Sequence, residues 1–161
     1  MHDAKVLANV FRRNMMVIDR QVKGLSHADS LLQPEARGNC LNYVLGHMMS
    51  GRETVMKMLE IDPLMTPAER DRYESDAEPI TQDGEAVIPL EQLVKLLRDS
   101  TEMIRSSVEQ LSDEALDRDV KLGESTATMR QRLEFFGWHD SYHVGQTEYL
   151  RQLAGTDDKV I

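Results

Sequence analysis

The residues of this sequence best suited to chemistry are histidines. His139 and His143 stand four apart in the run Trp138-His139-Asp140-Ser141-Tyr142-His143-Val144-Gly145-Gln146. On a helix that spacing puts two imidazoles on one face, one turn apart, with Cβ atoms about 5 to 6 Å from each other. Two such rings can share one divalent ion with little rearrangement. A third, His47, lies midway along another apolar-periodic segment, in a stripe with Cys40, Val44, Gly51, Thr54 and Met58. Three histidines from two helices leave one position of a tetrahedral ion open, the ligand count of a catalytic zinc rather than of a closed structural one. An ion so held can bring a bound water's pKa toward neutrality or keep a substrate thiol as thiolate. Taken singly, each histidine also fits a hydrogen-bonded core residue. Their convergence is the expectation that carries the chemistry.

The elements that must position them are helices. Apolar residues recur with a helical period from Asp3 to about Leu25, from the candidate cap Asn39 to Pro63, from Pro89 to Leu111 and from about Thr128 to Leu153. Glycines or prolines punctuate the joins, and no segment alternates over any length, so strand is minor or absent. The reading is all-α: a single domain over residues 1–161, built as an antiparallel four-helix bundle. The long join from Asp62 to Pro89 allows a crossover between the second and third helices and is a candidate lid over the site. Within it, Pro67 to Tyr73 is expected to form one or two helical turns. Ser112, Asp113 and Glu114 look like the cap of a further short turn.

Composition narrows the function. The 161 residues carry 19 Lys and Arg against 28 Asp and Glu, a net charge of −9. An acidic chain is a poor partner for nucleic acid or for an anionic membrane, and neither is expected. One cysteine cannot make an internal disulfide, no charged-then-apolar leader opens the chain, and no apolar run spans a bilayer, so a cytoplasmic location is expected.

Gly46-His47-Met48, the segment His139-Asp140-Ser141-Tyr142-His143-Val144-Gly145-Gln146, the following Tyr149-Leu150-Arg151 and Gly24-Leu25-Ser26 after the first helix together resemble the DinB-like family. These are damage-inducible-type four-helix bundles that include thiol-dependent S-transferases and a mycothiol-dependent maleylpyruvate isomerase. The resemblance implies a metal triad of His47, His139 and His143, with zinc or nickel as the usual ion. It also implies, for some relatives, a low-molecular-weight thiol cofactor. The expected function is a metal-dependent enzyme, hydrolase or thiol transferase, acting on a small molecule as a homodimer. The alternative is a non-catalytic metal-binding or stress-related bundle.

Other residues complete the candidate site. Phe136, His139, Tyr142, His143, Gln146 and Leu150 share a stripe expected to face inward. Gln146 reads as site-lining, and Tyr142 as a buried tyrosine or a proton donor. Asn14 and Gln21 fall in the first helix's apolar stripe, at its wet margin or toward the site, where an amide could hold a ligand histidine's second nitrogen. Gly51 leaves room beside the ion, and Thr101 is a small polar group in an apolar stripe. Cys40 reads as a small buried hydrophobe, with a nucleophile as the other possibility. His2 and His27 read as surface groups.

Overall fold

The computed structural model describes residues 3–156 and 158–160, so the expectation for His2 lies outside the described residues. Four long helices carry the fold: α1 (Ala4–Gln21), α3 (Leu41–Met58), α5 (Leu90–Val108) and α7 (Met129–Gln152). Short helices α2 (His27–Ser30), α4 (Pro67–Arg72) and α6 (Asp113–Leu116) punctuate the connections. A two-stranded antiparallel hairpin, β1 (Asp119–Leu122) and β2 (Ser125–Thr128), leads into α7. Its two-residue turn places Gly123 at φ 57°, a conformation that tight hairpins demand and glycine supplies without strain.

Local chemistry sets the ends. Asp3 Oδ1 accepts from the Val6 amide at the start of α1, and Ser26, Thr66 and Thr128 each form reciprocal capping boxes at α2, α4 and α7. The residue at the start of α3 is Cys40, not Asn39, and it makes no side-chain cap. Its buried thiol instead donates to the Ile80 carbonyl at 3.3 Å, which supports packing over reactivity.

In the bundle α1 packs on α5 and α7, and α3 packs on the same two, so α1 and α3 sit diagonally. The contacts give the directions. Asn14 meets Gly137 and Arg151 meets Gln21, so α1 and α7 run parallel; Asn42 meets Ile88 and Arg52 meets Leu97, so α3 and α5 do too. Between α3 and α7 the pairs His47–His143 and Gly51–His139 descend against each other, an antiparallel pair. The long connection from α3 to α5 makes this crossover possible. That connection is less a loose lid than a packed strap: Met65, Tyr73, Ile80 and Ile88 are all buried. It closes over α3, which is why α3 is buried on nearly every side while α1 and α5 keep one wet face.

Candidate metal centre

The core-facing row of α7 is Leu133, Gly137, Asp140, Val144, Thr147 and Arg151, all buried. Of the stripe expected to face inward, only Leu150 joins the core. His139 and His143 lie on the flank toward α3, half-buried, and Tyr142 on the same stripe is 57% exposed. The site is therefore at the margin of the bundle, in the seam between α3 and α7. Periodicity finds a face to within one residue's rotation of about 100°, and here that rotation separates core from cleft.

His47, His139 and His143 meet across this seam, each offering a nitrogen within 4.8 Å of the others. His139 Nε2 and His47 Nε2 are 3.2 Å apart. Two nitrogens bound tetrahedrally to one zinc at 2.0 to 2.1 Å sit about 3.3 Å apart, so the spacing of this pair already fits a shared ion. The far nitrogens of two rings are committed elsewhere. His47 Nδ1 lies 2.9 Å from the Tyr73 carbonyl, which only accepts, so it carries the proton and Nε2 is left with its lone pair. His143 Nδ1 lies 2.8 Å from Gln146 Oε1 and is oriented in the same sense. His139 Nδ1 is buried with no partner among the described residues.

Electrostatics keeps the two rings of α7 neutral. Burial first, then the neighbouring His143 and His47, lowers the His139 pKa to about 4. Burial likewise lowers His143, against the hydrogen bond that it donates to Gln146. Neutral imidazoles are the ligating form.

The surroundings are built for close fit. A Cβ on Gly51 would lie 3.3 Å from His139 Cε1, so the missing side chain makes room for the ring itself. Tyr43 stacks on His47 with ring centres 5.9 Å apart. Tyr73 is wholly buried, its hydroxyl donating to Asn42 Oδ1 and accepting from the Ile88 amide, and burial pushes its pKa up to about 12. Its ring fills the space that a Cβ on Gly46 would take, which fixes the carbonyl that holds His47.

Two clefts flank the triad. One, of about 310 Å³, is walled by Tyr43, His47, His143, Gln146 and Tyr149. The other, of about 280 Å³, reaches His47 and His139 beside Gly51, Glu74 and Phe136.

Several candidates fall elsewhere. Asn14 Nδ2 donates to the Gly137 carbonyl and Ser141 Oγ, tying α1 to α7, and bonds no histidine. Gln21 is buried at the end of α1, where its backbone carbonyl accepts from Arg151. Thr101 Oγ1 accepts from Arg52 Nη1 in the core. His27 is partly buried rather than a surface group: Nδ1 accepts from the Leu90 amide at the start of α5.

Sequence reasoning missed Arg52 and Asp140, a fully buried ion pair at 2.8 Å between α3 and α7. Arg52 Nη1 also donates to the Leu97 carbonyl and to Ser100 and Thr101 of α5. Asp140 was legible in one respect: it falls in register with Leu133, Val144 and Thr147. Each partner adjoins a site residue in the chain, Gly51 and His139, so the pair fixes how the two site-bearing helices meet.

Among solved structures the chain is similar to that of a conserved protein from Enterococcus faecalis, with a TM-score of 0.74 and 17% identity over 97% of this chain and 99% of that one, a likeness of fold. No curated protein matches. The DinB superfamily, however, matches residues 11–147, which take in α1 from Phe11 onward, the histidine of α3, the strap, α5 and both histidines of α7; the chain belongs to that superfamily.

Proposed function

We propose that this protein is a metal-dependent enzyme whose His47, His139 and His143 hold one divalent ion, zinc or nickel, that activates water or a small thiol against a small-molecule substrate. The observation that carries this reading is the convergence of three imidazoles, two of which have their outer nitrogens hydrogen-bonded away from the centre. A bound ion would supply a hydroxide or thiolate at neutral pH. The protein's share is orientation: the Tyr73 carbonyl and the Gln146 amide fix two rings, and the walls of the larger cleft limit water at the open side. No helix among the described residues is long and apolar enough to cross a membrane, and a cytoplasmic setting belongs to this reading.

Elemental analysis of the purified protein is expected to find about one equivalent of zinc or nickel. His143→Ala should lower metal affinity by at least 100-fold, and Gln146→Ala by about tenfold, the usual effect of losing a group that orients a ligand. A protein that binds no divalent ion, or a His143→Ala variant that binds it unchanged, overturns the reading. An ion whose removal only lowers the melting temperature, with no turnover of thiol or ester substrates, would instead favour a structural metal.

We also propose a homodimer through α7. Phe135, Trp138, Tyr142 and Tyr149 are 52, 60, 57 and 56% exposed, on the side of α7 opposite the core. Gly145 lies among them, and the row from Gln131 to Gln152 carries no charge. At half exposure four such rings offer roughly 400 Å² of apolar surface, about half of what one partner contributes to a stable interface. An uncharged row is where two chains of net charge −9 meet with least repulsion. Sedimentation velocity should show a dimer that Trp138→Glu with Tyr142→Glu converts to a folded monomer. A monomeric wild-type protein at about 100 μM would refute it.

A further inference from the structure

The two clefts beside the triad differ in charge. In the larger one Arg37, from the segment between α2 and α3, is the only charged side chain in the wall. The rest of that wall is aromatic, aliphatic or amide, including Tyr43, Tyr149 and Leu150. Arg37 makes no ion pair among the described residues, although the chain has 28 carboxylates to 19 basic residues. In the smaller cleft the one charged side chain is Glu74, which pairs with Arg70 at 3.3 Å. An anion approaching the triad therefore meets an uncompensated cation in the larger cleft alone.

Scale and chemistry agree. A volume of about 310 Å³ suits a small organic molecule rather than a polymer. A guanidinium holds a carboxylate by two parallel hydrogen bonds, which fixes orientation as well as affinity. Apolar walls then favour a short uncharged body between the anchored end and the histidines.

We propose that the larger cleft takes a small carboxylate-bearing molecule, its carboxylate held by Arg37 and its reactive end at the side of the triad formed by His47 and His143. This inference rests on the metal reading above and names the substrate class for that site. It assigns Arg37 to specificity, and it leaves the ring orientation of the triad to Tyr73 and Gln146.

The test uses the full chain loaded with cobalt(II), whose visible spectrum reports coordination. It is titrated with 3-mercaptopropionate and, separately, with its uncharged amide. Both present the same thiol, so a sulfur-to-cobalt band reads binding for each. The acid is expected to bind about tenfold more tightly than the amide, the range of one partly exposed charge-assisted contact. In Arg37→Gln the two should bind alike, with cobalt content and the amide's affinity unchanged. In Glu74→Gln the preference for the acid should persist. Equal affinities in the wild-type protein, or a preference that survives in Arg37→Gln, would overturn the proposal while leaving the metal reading intact. Failure of cobalt to bind at all would overturn the metal reading, and this inference with it.

Discussion

Replacing Asp140 with alanine is expected to destabilise the protein by about 3 to 5 kcal/mol, the largest stability effect of any single change in the seam between α3 and α7. Arg52 is 1% exposed, and its guanidinium is surrounded by the core of the bundle. Its Nε donates to Asp140 at 2.8 Å, while Nη1 reaches the Leu97 carbonyl and the hydroxyls of Ser100 and Thr101. Those neutral acceptors do not cancel the charge. Nη2 is already without a partner among the described residues, so removing the carboxylate leaves a buried cation with little compensation. At 161 residues that cost corresponds to a melting temperature lower by roughly 6 to 20 °C. Chemical denaturation of apo protein is the direct measurement, and a loss below about 1 kcal/mol would show that the pair is not what holds the seam. Removing both charges distinguishes a broken pair from a lost contact: Arg52→Met with Asp140→Leu should recover most of the stability, because a dry apolar pair carries no desolvation debt. The double variant tests something further. If the ion pair sets the register between helices, the recovered protein should still bind metal more weakly than the wild type, since His139 adjoins one partner and Gly51 the other.

That pair also marks where the sequence stops being readable. The helices, their order and the short turn at Pro67 were visible in apolar periodicity and caps, because those signals are local. The long connection was visible as a length, and its crossover followed from that length. Its packing was not: Tyr73 and Ile80 look like isolated apolar residues in a polar stretch, yet both are buried. Asn14 illustrates the same limit from the other side. An amide in an apolar stripe must find a partner, and it does, but the partner is a backbone carbonyl of α7 rather than a site histidine. The three histidines could be brought together on paper because spacing fixes which residues share a face. What periodicity could not give was the rotation of α7, which places Asp140 in the core and Tyr142 in water. A single residue's step around the helix decides that, and tertiary packing chooses the step.

Gly46→Ala tests the strap's role in the site most sharply, because helix propensity and packing predict opposite signs. In mid-helix, alanine ordinarily stabilises relative to glycine by about 0.8 to 1 kcal/mol. At Gly46, however, an added Cβ would lie 2.1 Å from Tyr73 Cδ1 and 2.2 Å from Cε1, distances no structure tolerates. The ring cannot simply swing aside. Its hydroxyl is held by Asn42 and the Ile88 amide, and the residue is wholly buried. The strap must move off α3, at an expected net cost of roughly 2 to 3 kcal/mol, within the range for overpacking a tight interior. The displacement should reach the site, because the Tyr73 carbonyl is what holds His47 Nδ1 at 2.9 Å. Metal affinity is therefore expected to fall by about tenfold or more, although no ligand has been altered. Gly145→Ala supplies the contrast. That glycine is also within a long helix, but nothing lies within 4 Å of its added Cβ, so in dilute protein the same substitution should raise stability by up to about 1 kcal/mol. If Gly46→Ala were as stable as Gly145→Ala and kept full metal affinity, the strap would be a covering for α3 and nothing more. Loss of both properties at Gly46 alone would mean that a side chain absent from one helix, and a carbonyl from the connection packed on it, hold the first histidine of the triad in place.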